Sequence, residues 1–317
     1  MSIAVKSVTI ANGVNMPVLG LGTWKSNAGE CEQAVKDAID CGYRHIDTAV
    51  AYLNEKEVGC AISAKIKDGT VKREDLFITT KLWNTFHRKD LVIPSIKESL
   101  KDLQLEYLDL FLIHWPMAYK EGEELFPKDK DGNFIFSDSP FIDTWKEMEK
   151  AVNQGLVKAI GLSNFNSKQV QMIIDEGTIK PANIQVECHP YFNNSKLLNF
   201  CRERNISFTA YSPFGAPQRG WQKDDEPLVI ADERLKPIAE KHGKTPAQVV
   251  LRYIIQRGAI VIPKSVTRSR IEQNINVFDF ELSEDEMKVI GSFEQKRRIA
   301  LNWGPDKHRD FPFHEEF

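Results

Sequence analysis

The chain has 317 residues, 42% hydrophobic and 27% charged, with 42 Lys plus Arg against 45 Asp plus Glu and a formal net charge of −3. That composition supplies a large core and excludes disorder, and the near balance of charge argues against a nucleic-acid or membrane-surface partner, which would need clustered cations. No apolar run approaches the ~20 residues of a membrane span. The opening Met1-Ser-Ile-Ala-Val-Lys6 has no apolar signal core, and the five cysteines (31, 41, 60, 188 and 201) form no CxxC pair, which suits reduced thiols. The expectation is a soluble cytoplasmic enzyme whose residues 1–317 form one domain.

An opening hairpin is expected over Val8–Val18. Eight short apolar runs follow: Leu19–Trp24, His45–Ala49, Leu76–Leu82, Tyr107–Trp115, Val157–Asn164, Asn183–Cys188, Ile206–Ser212 and Ala259–Ser265. They are mostly continuous rather than alternating in polarity, as strands buried on both faces should be. Between them lie helical spacings. Cys31, Ala34, Val35, Ala38 and Ile39 make one apolar face, and Gly42 supplies the stop. Phe141, Trp145, Met148 and Val152 repeat the pattern up to Gly155, a helix is expected over Ile271–Val277, and Ser283 with Glu286 reads as a capping box.

Strict alternation of strand and helix predicts a parallel sheet, and eight units predict closure into a (β/α)8 barrel. The rival is an open doubly wound sheet, which usually carries GxGxxG after its first strand. Gly20-Leu-Gly22-Thr-Trp-Lys25 lacks the third glycine, so these glycines are read as close packing at a strand end. Lys128–Phe136 and Gly215–Pro227 are long polar connections and are read as binding loops. The stretch from Glu294 to Phe317 holds Trp303, Phe311, Phe313 and Phe317, too many aromatics for a free tail, so it should fold back over the barrel.

A barrel of this kind builds its active site at the carboxyl ends of the strands. Polar residues there are Asp47, Lys81, His114, Ser163 with Asn164, Gln185, Tyr211 with Ser212, and Lys264 with Ser265. Taken singly, each has a bland reading: Asp47 a turn cap, Lys81 a solvated charge, His114 a satisfied core histidine, Tyr52 packing. Together, Lys, Asp and His in one mouth would be costly to bury unless paired, and paired they shift a neighbour's proton affinity. No metal-ligand spacing stands out among seven histidines. The ends of strands four and seven offer His114 and Tyr211, not the carboxylate pair of a retaining glycosidase. Schiff-base chemistry on Lys81 is the enzymatic competitor, although Asp47 would keep that lysine charged. After strand eight, Lys264-Ser-Val-Thr-Arg-Ser-Arg270 places three cations and three hydroxyls before a helix. This is either a phosphate site or a solvated basic turn.

The segment Gly42-Tyr-Arg-His-Ile-Asp47-Thr-Ala-Val-Ala-Tyr52-Leu-Asn-Glu-Lys-Glu-Val-Gly59 resembles the aldo-keto reductase signature. Leu-Phe-Leu-Ile-His114-Trp-Pro, Gly161-Leu-Ser-Asn-Phe165 and Ile262-Pro-Lys-Ser265 are similar to that family's other markers, and the closing Pro312-Phe-His-Glu-Glu-Phe317 resembles its aldose reductase-like branch. The resemblance spans nearly the whole chain. It implies a (β/α)8 barrel acting as a monomer, bound NADPH/NADP+, and reduction of a small-molecule carbonyl, with no metal.

Carried over by position, Tyr52 would be the general acid. Lys81 paired with Asp47 would lower the phenol's pKa, and His114 would orient the carbonyl. Tyr211 would stack on the nicotinamide while Ser163, Asn164 and Gln185 hold its carboxamide. Thr23, Trp24, Ser212, Val266 and Thr267 would also touch the cofactor. Lys264, Ser265, Arg270 and Asn274 match positions that hold the 2′-phosphate, with Gln273 standing where relatives often have Glu. The loop Gly215–Pro227 would cover the pyrophosphate.

By the same matching, Trp24, Trp83, His114, Trp115, Phe126, Trp221, Asn302 and Trp303 would line the substrate pocket. That aromatic lining favours an apolar aldehyde or a bulky ketone such as a steroid over a bare sugar. Ala51, Leu53 and the Ala300–Pro305 stretch depart from the familiar pattern and bear on specificity. A reading from another class stays open, a non-catalytic dinucleotide-binding barrel serving as a structural or partner subunit.

Overall fold

A computed structural model describes residues 5–217, 226–299 and 304–315. Strands β1 (Ser7–Thr9) and β2 (Asn15–Pro17) form the expected antiparallel hairpin. Then come β3 (Leu21–Gly22), α1 (Glu30–Asp40), β4 (His45–Asp47), α2 (Glu55–Lys67), β5 (Phe77–Leu82), α3 (Lys89–Leu103) and β6 (Leu108–Ile113). The chain continues through α4 (Phe141–Asn153), β7 (Val157–Ser163), α5 (Ser167–Glu176), β8 (Asn183–Glu187), α6 (Ser195–Glu203) and β9 (Ser207–Tyr211). It ends with α7 (Lys236–His242), α8 (Pro246–Gln256), β10 (Ile260–Val261), α9 (Arg268–Ile275) and α10 (Glu284–Gly291).

Strands β3 to β10 pair in parallel, each with its neighbour in sequence. Parallel bridges Leu19–Val261 and Gly22–Lys264, with Gly20 N–H donating to Val261 O at 2.9 Å, join the first strand to the last. The barrel is therefore closed, as the count of eight predicts. The two glycines allow that seam. A Cβ at Gly20 would lie 2.5 Å from the His45 ring, and one at Gly22 would lie 2.8 Å from Ile262 O.

The apolar runs divide between two cores. One lies between strands and helices and takes Ile46, Ile78, Phe111 and Ile160 together with the buried faces of α1 to α9. The other fills the barrel's amino-terminal end, where Ile10, Met16 and Val18 of the hairpin plug against Phe77, Leu110 and Leu112. The hairpin is thus a stopper, which leaves the opposite mouth for chemistry.

Several boundaries differ from the sequence reading. Expected strand one, Leu19–Trp24, is a continuous strand only over Leu21–Gly22, with a single further bridge at Leu19, because an apolar run marks burial and not hydrogen bonding. The helix expected over Ile271–Val277 begins three residues earlier, at Arg268, and ends at Ile275. Its polar first turn faces water, so apolar spacing could not mark it. Lys128–Phe136, read as a long polar loop, carries pairing of its own. Antiparallel bridges Tyr119–Phe136 and Lys128–Phe134 fold it into a small ribbon, with the Phe134 and Phe136 rings stacked beside Tyr119. Ser283 and Glu286 do form the capping box, and α1 and α4 stand where apolar spacing puts them. Phe311 and Phe313 fold back onto the barrel, with Phe313 edge-on to Trp115 at 5.7 Å. Trp303 and Phe317 lie outside the described residues, as does the central part, 218–225, of the Gly215–Pro227 loop.

Candidate active site

Side chains alternate sides along a strand, so parity decides which polar residues enter the barrel. On β4, His45 and Asp47 share a side. On β5, Phe77, Thr79 and Lys81 do, and His45 Nε2 lies 3.2 Å from Thr79 Oγ1 across the two strands. On β8, Asn183 reaches Thr209 of β9 at 2.8 Å while Gln185 reaches Asp47. Apolar and polar layers thus stack inside one barrel, with the charged layer at the carboxyl end.

Lys81 is fully buried and its Nζ meets three acceptors: Asp47 Oδ1 at 2.5 Å, Thr48 O at 2.8 Å and Tyr52 Oη at 3.4 Å. Gln185 Nε2 donates to the other Asp47 oxygen at 2.7 Å. Burial pushes the Lys81 ammonium below the ordinary lysine range, while Asp47 and then Glu55 pull it back. His114 stands edge-on to Tyr52 at 5.6 Å and to Trp83 at 5.2 Å. Burial, with Lys81 adding, holds its pKa well below the usual histidine value, so the ring is neutral at pH 7. Its Nδ1 is buried without a partner among the described residues.

The phenol corrects one expectation. The resemblance implies a lowered pKa for Tyr52, but the surroundings of the ring raise it well above 10, by burial first and then by Asp47 and Tyr211. Asp47, held 2.5 Å from Lys81, brings its own negative charge close to the phenol. A phenol in this state keeps its proton across the physiological range.

Three strand-end residues form a second group. Asn164, in the left-handed region at φ 60°, donates to His114 O at 2.9 Å and to Ser163 Oγ at 3.2 Å, and accepts from Tyr211 Oη at 2.7 Å. Ser212 is also left-handed, at φ 48°. Thr23 is buried and donates to Asp47 O at 3.0 Å, whereas Trp24 is half-buried beneath Lys25 Nζ, 5.0 Å from its ring.

Beside β10, Lys264, Thr267, Arg270 and Gln273 are exposed, Val266 is half-buried, and Ser265 and Asn274 are buried. Thr267 is the N-cap of α9 but its side chain caps nothing, so the helix start presents free N–H groups. Of the three cations in this stretch, Arg268 is already engaged by Asp37 at 2.9 Å and Glu272 at 3.2 Å. Lys264 and Arg270 remain, beside an uncapped helix start. That donor set fits a phosphate.

Trp83 and Trp115 share an aromatic cluster with Tyr119 and Phe311, and Val50 and Ala51 from the Tyr52 turn pack on it. Phe126, largely exposed, sits 5.1 Å from the Trp83 ring. Trp83, Trp115 and Phe126 therefore gather beside His114 and Tyr52, while Trp221, Asn302 and Trp303 lie outside the described residues. Sequence reasoning passed over Thr48, Asn54 and Glu55, although all three stand in the same quoted segment as Tyr52. Polar residues directly after a catalytic candidate were the available signal.

Parallel barrels work at this end of their strands, and here a protonated phenol rests against a buried lysine–aspartate pair under an aromatic wall. Such a mouth belongs to a parallel-barrel enzyme that acts on a small substrate. Comparison with known proteins supplies the family: residues 18–295 match the model of the Aldo/keto reductase family. The chain is 50% identical over 321 residues to aldo-keto reductase family 1 member A1-A of Danio rerio, covering 98% of this chain and 99% of that one. It is 47% identical over 299 residues to the Homo sapiens aldo-keto reductase family 1 member A1, covering 94% and 92%. The solved aldose reductase from Schistosoma japonicum aligns with a TM-score of 0.93 at 46% identity, covering 98% of this chain and 100% of that one. The chain belongs to the aldo/keto reductase family and is an enzyme, a nicotinamide-dependent oxidoreductase of carbonyl compounds. Among the described residues no helix is long and apolar enough to cross a membrane.

Proposed function

We propose that the chain, acting as one barrel domain, reduces an apolar aldehyde or bulky ketone to the alcohol with NADPH, the proton coming from Tyr52. The observation that carries this reading is the Tyr52–Lys81 contact, 3.4 Å, behind which Asp47 and Thr48 saturate the ammonium. When bound, NADPH supplies the hydride. Negative charge then grows on the carbonyl oxygen, and Tyr52 gives its proton there. Lys81 stabilises the phenolate left behind, and Asp47 keeps Lys81 charged in a site where burial would otherwise strip its proton. His114, being neutral, can donate one N–H to the same oxygen and fix its direction.

Ser163, Asn164 and Gln185 would meet the carboxamide, and Tyr211 the nicotinamide face. In the present arrangement Tyr211 is tied to Asn164, so binding would exchange that bond for contacts to the ring. Lys264, Ser265, Arg270 and Asn274 would take the 2′-phosphate, helped by the N–H groups that open α9. Trp83, Trp115 and Phe126 support the apolar substrate class, since rings packed edge to face offer dispersion contacts but few hydrogen bonds.

Tyr52→Phe tests the reading. The variant should bind NADPH normally in a fluorescence titration and lose carbonyl-dependent NADPH oxidation by roughly 10²-fold or more. Turnover within about tenfold of wild type, a barrier change of only ~1.4 kcal/mol, would remove Tyr52 from the proton-donor role. A wild type that binds NADPH and reduces no member of a panel of aldehydes, ketones and steroids would instead be a non-catalytic barrel.

A further inference from the structure

The turn that carries Tyr52 is held by two consecutive buried residues that the proposed chemistry does not use. Asn54 is the N-cap of α2, yet its side chain makes no capping bond. It accepts from Thr48 Oγ1 at 2.9 Å and donates to Thr23 O at 2.9 Å, tying the turn to the ends of β3 and β4. Glu55, 7% exposed, accepts from Thr80 Oγ1 at 2.6 Å and from Ser99 Oγ at 3.2 Å. Thr80 precedes Lys81 on β5 and points to the opposite face of the strand. The Glu55–Thr80 bond therefore joins a residue three positions past Tyr52 to the residue beside Lys81.

Helix α2 reaches this depth because Gly59, one turn after Glu55 on the same face, rides against α3. A Cβ there would meet Asp102 O at 2.4 Å and Leu103 Cα at 2.8 Å. That close approach also brings Ser99 of α3 within reach of Glu55.

We infer that Glu55 is a positioning residue: by clamping α2 to Thr80, with Ser99 as a second anchor, it sets the separation between Tyr52 Oη and Lys81 Nζ. The inference rests on the proposed role of Tyr52. A carboxyl is an expensive choice for this place. Burial pushes it up to about 7 against the pull of the Thr80 and Ser99 hydroxyls. Of the charged groups that face it, Asp102 on α3 raises it further and Lys81 on β5 lowers it. An apolar residue would avoid this desolvation but could not accept from two hydroxyls at once. The geometry it holds is the one on which proton transfer would depend, and small misplacements of reacting groups are costly there.

The test uses the full chain with NADPH and an aldehyde. Glu55→Ala and Thr80→Val should each lower kcat by about tenfold or more while NADPH affinity changes less than about threefold, and the double variant should be no worse than the poorer single one. Glu55→Gln, whose amide oxygen still accepts from Thr80, should recover kcat to within about threefold of wild type, and so should Thr80→Ser. If Glu55→Ala fails to fold, Thr80→Val against Thr80→Ser decides. Retained kcat in Thr80→Val, or equal loss of kcat and NADPH affinity in both single variants, overturns the inference. Failure of the reductase reading shows separately, as an inactive wild type. The positioning is then still read by crystal structures of wild type and Thr80→Val, where an Oη–Nζ separation unchanged to within about 0.5 Å refutes it.

Discussion

Asp47→Asn isolates the charge of the buried pair from its shape. Lys81 has three N–H donors, and the fold gives it three acceptors: Asp47 Oδ1, Thr48 O and Tyr52 Oη. Asparagine keeps the volume and one acceptor oxygen, which must turn to Lys81. Its new NH2 then faces Gln185, whose own amide has to flip from donor to acceptor. The hydrogen bonds survive that exchange, but the countercharge does not. An uncompensated charge in a fully buried site costs about 3–5 kcal/mol. For a chain of this size the entropy of unfolding is roughly 0.7 kcal/mol per degree, so the melting temperature should fall by about 4–7 °C at pH 7. Burial already lowers the Lys81 pKa, and without Asp47 it falls further. The variant's folded state then holds fewer protons than its unfolded state below the ordinary lysine pKa, so its deficit against wild type shrinks as pH rises. The limit is ~1.4 kcal/mol per pH unit, over the window between the variant's lysine pKa and that of wild type. Carbonyl reduction should fall by roughly 10²-fold, the scale of losing one preorganised charge at a transition state. Scanning calorimetry at pH 7 and pH 9, alongside steady-state rates, checks all three numbers. A melting temperature within about 1 °C of wild type at pH 7 would mean that the pair is not ionised in the fold, and the electrostatic argument for Tyr52 would go with it.

Arg270→Met should weaken NADPH by about tenfold or more and leave NADH nearly untouched, because a charge-assisted contact to a phosphate contributes roughly 1.5–3 kcal/mol. Equal loss for both cofactors in fluorescence titrations would make Arg270 structural. His87 is buried with neither ring nitrogen partnered among the described residues, and burial, with His308 adding, lowers its pKa to about 3. Its folded pKa lies below its unfolded value, so the stability it permits is complete above about pH 6.5 and declines as pH falls through that value towards 3. His87→Leu should therefore lose less stability than wild type between pH 7 and pH 5, by up to ~2 kcal/mol, and parallel melting curves at the two pH values would sink the assignment.

The barrel was legible in the chain because eight doubly buried strands must read as apolar runs; Gly20 and Gly22 read only as close packing, and the structure makes that packing the closing seam, where no Cβ fits. The catalytic candidates were legible as polar residues at the ends of those runs, and the family resemblance assigned their roles. What the runs could not display is parity and pairing. Lys81 in sequence is a cation at a strand end, and only the register of β4, β5 and β8 makes it a buried ammonium between Asp47 and Tyr52. The direction of the Tyr52 shift also belongs to the tertiary structure, since desolvation depends on everything packed around the ring. The same holds for Arg268, which looks equivalent to Arg270 in the sequence until α1 presents Asp37 to it. Local spacing fixes which face of a segment is apolar, because side-chain direction repeats with the backbone. Which polar groups meet, and at what cost of burial, is decided by contacts between residues as far apart as Asp47 and Gln185, and those exist only once the barrel has closed.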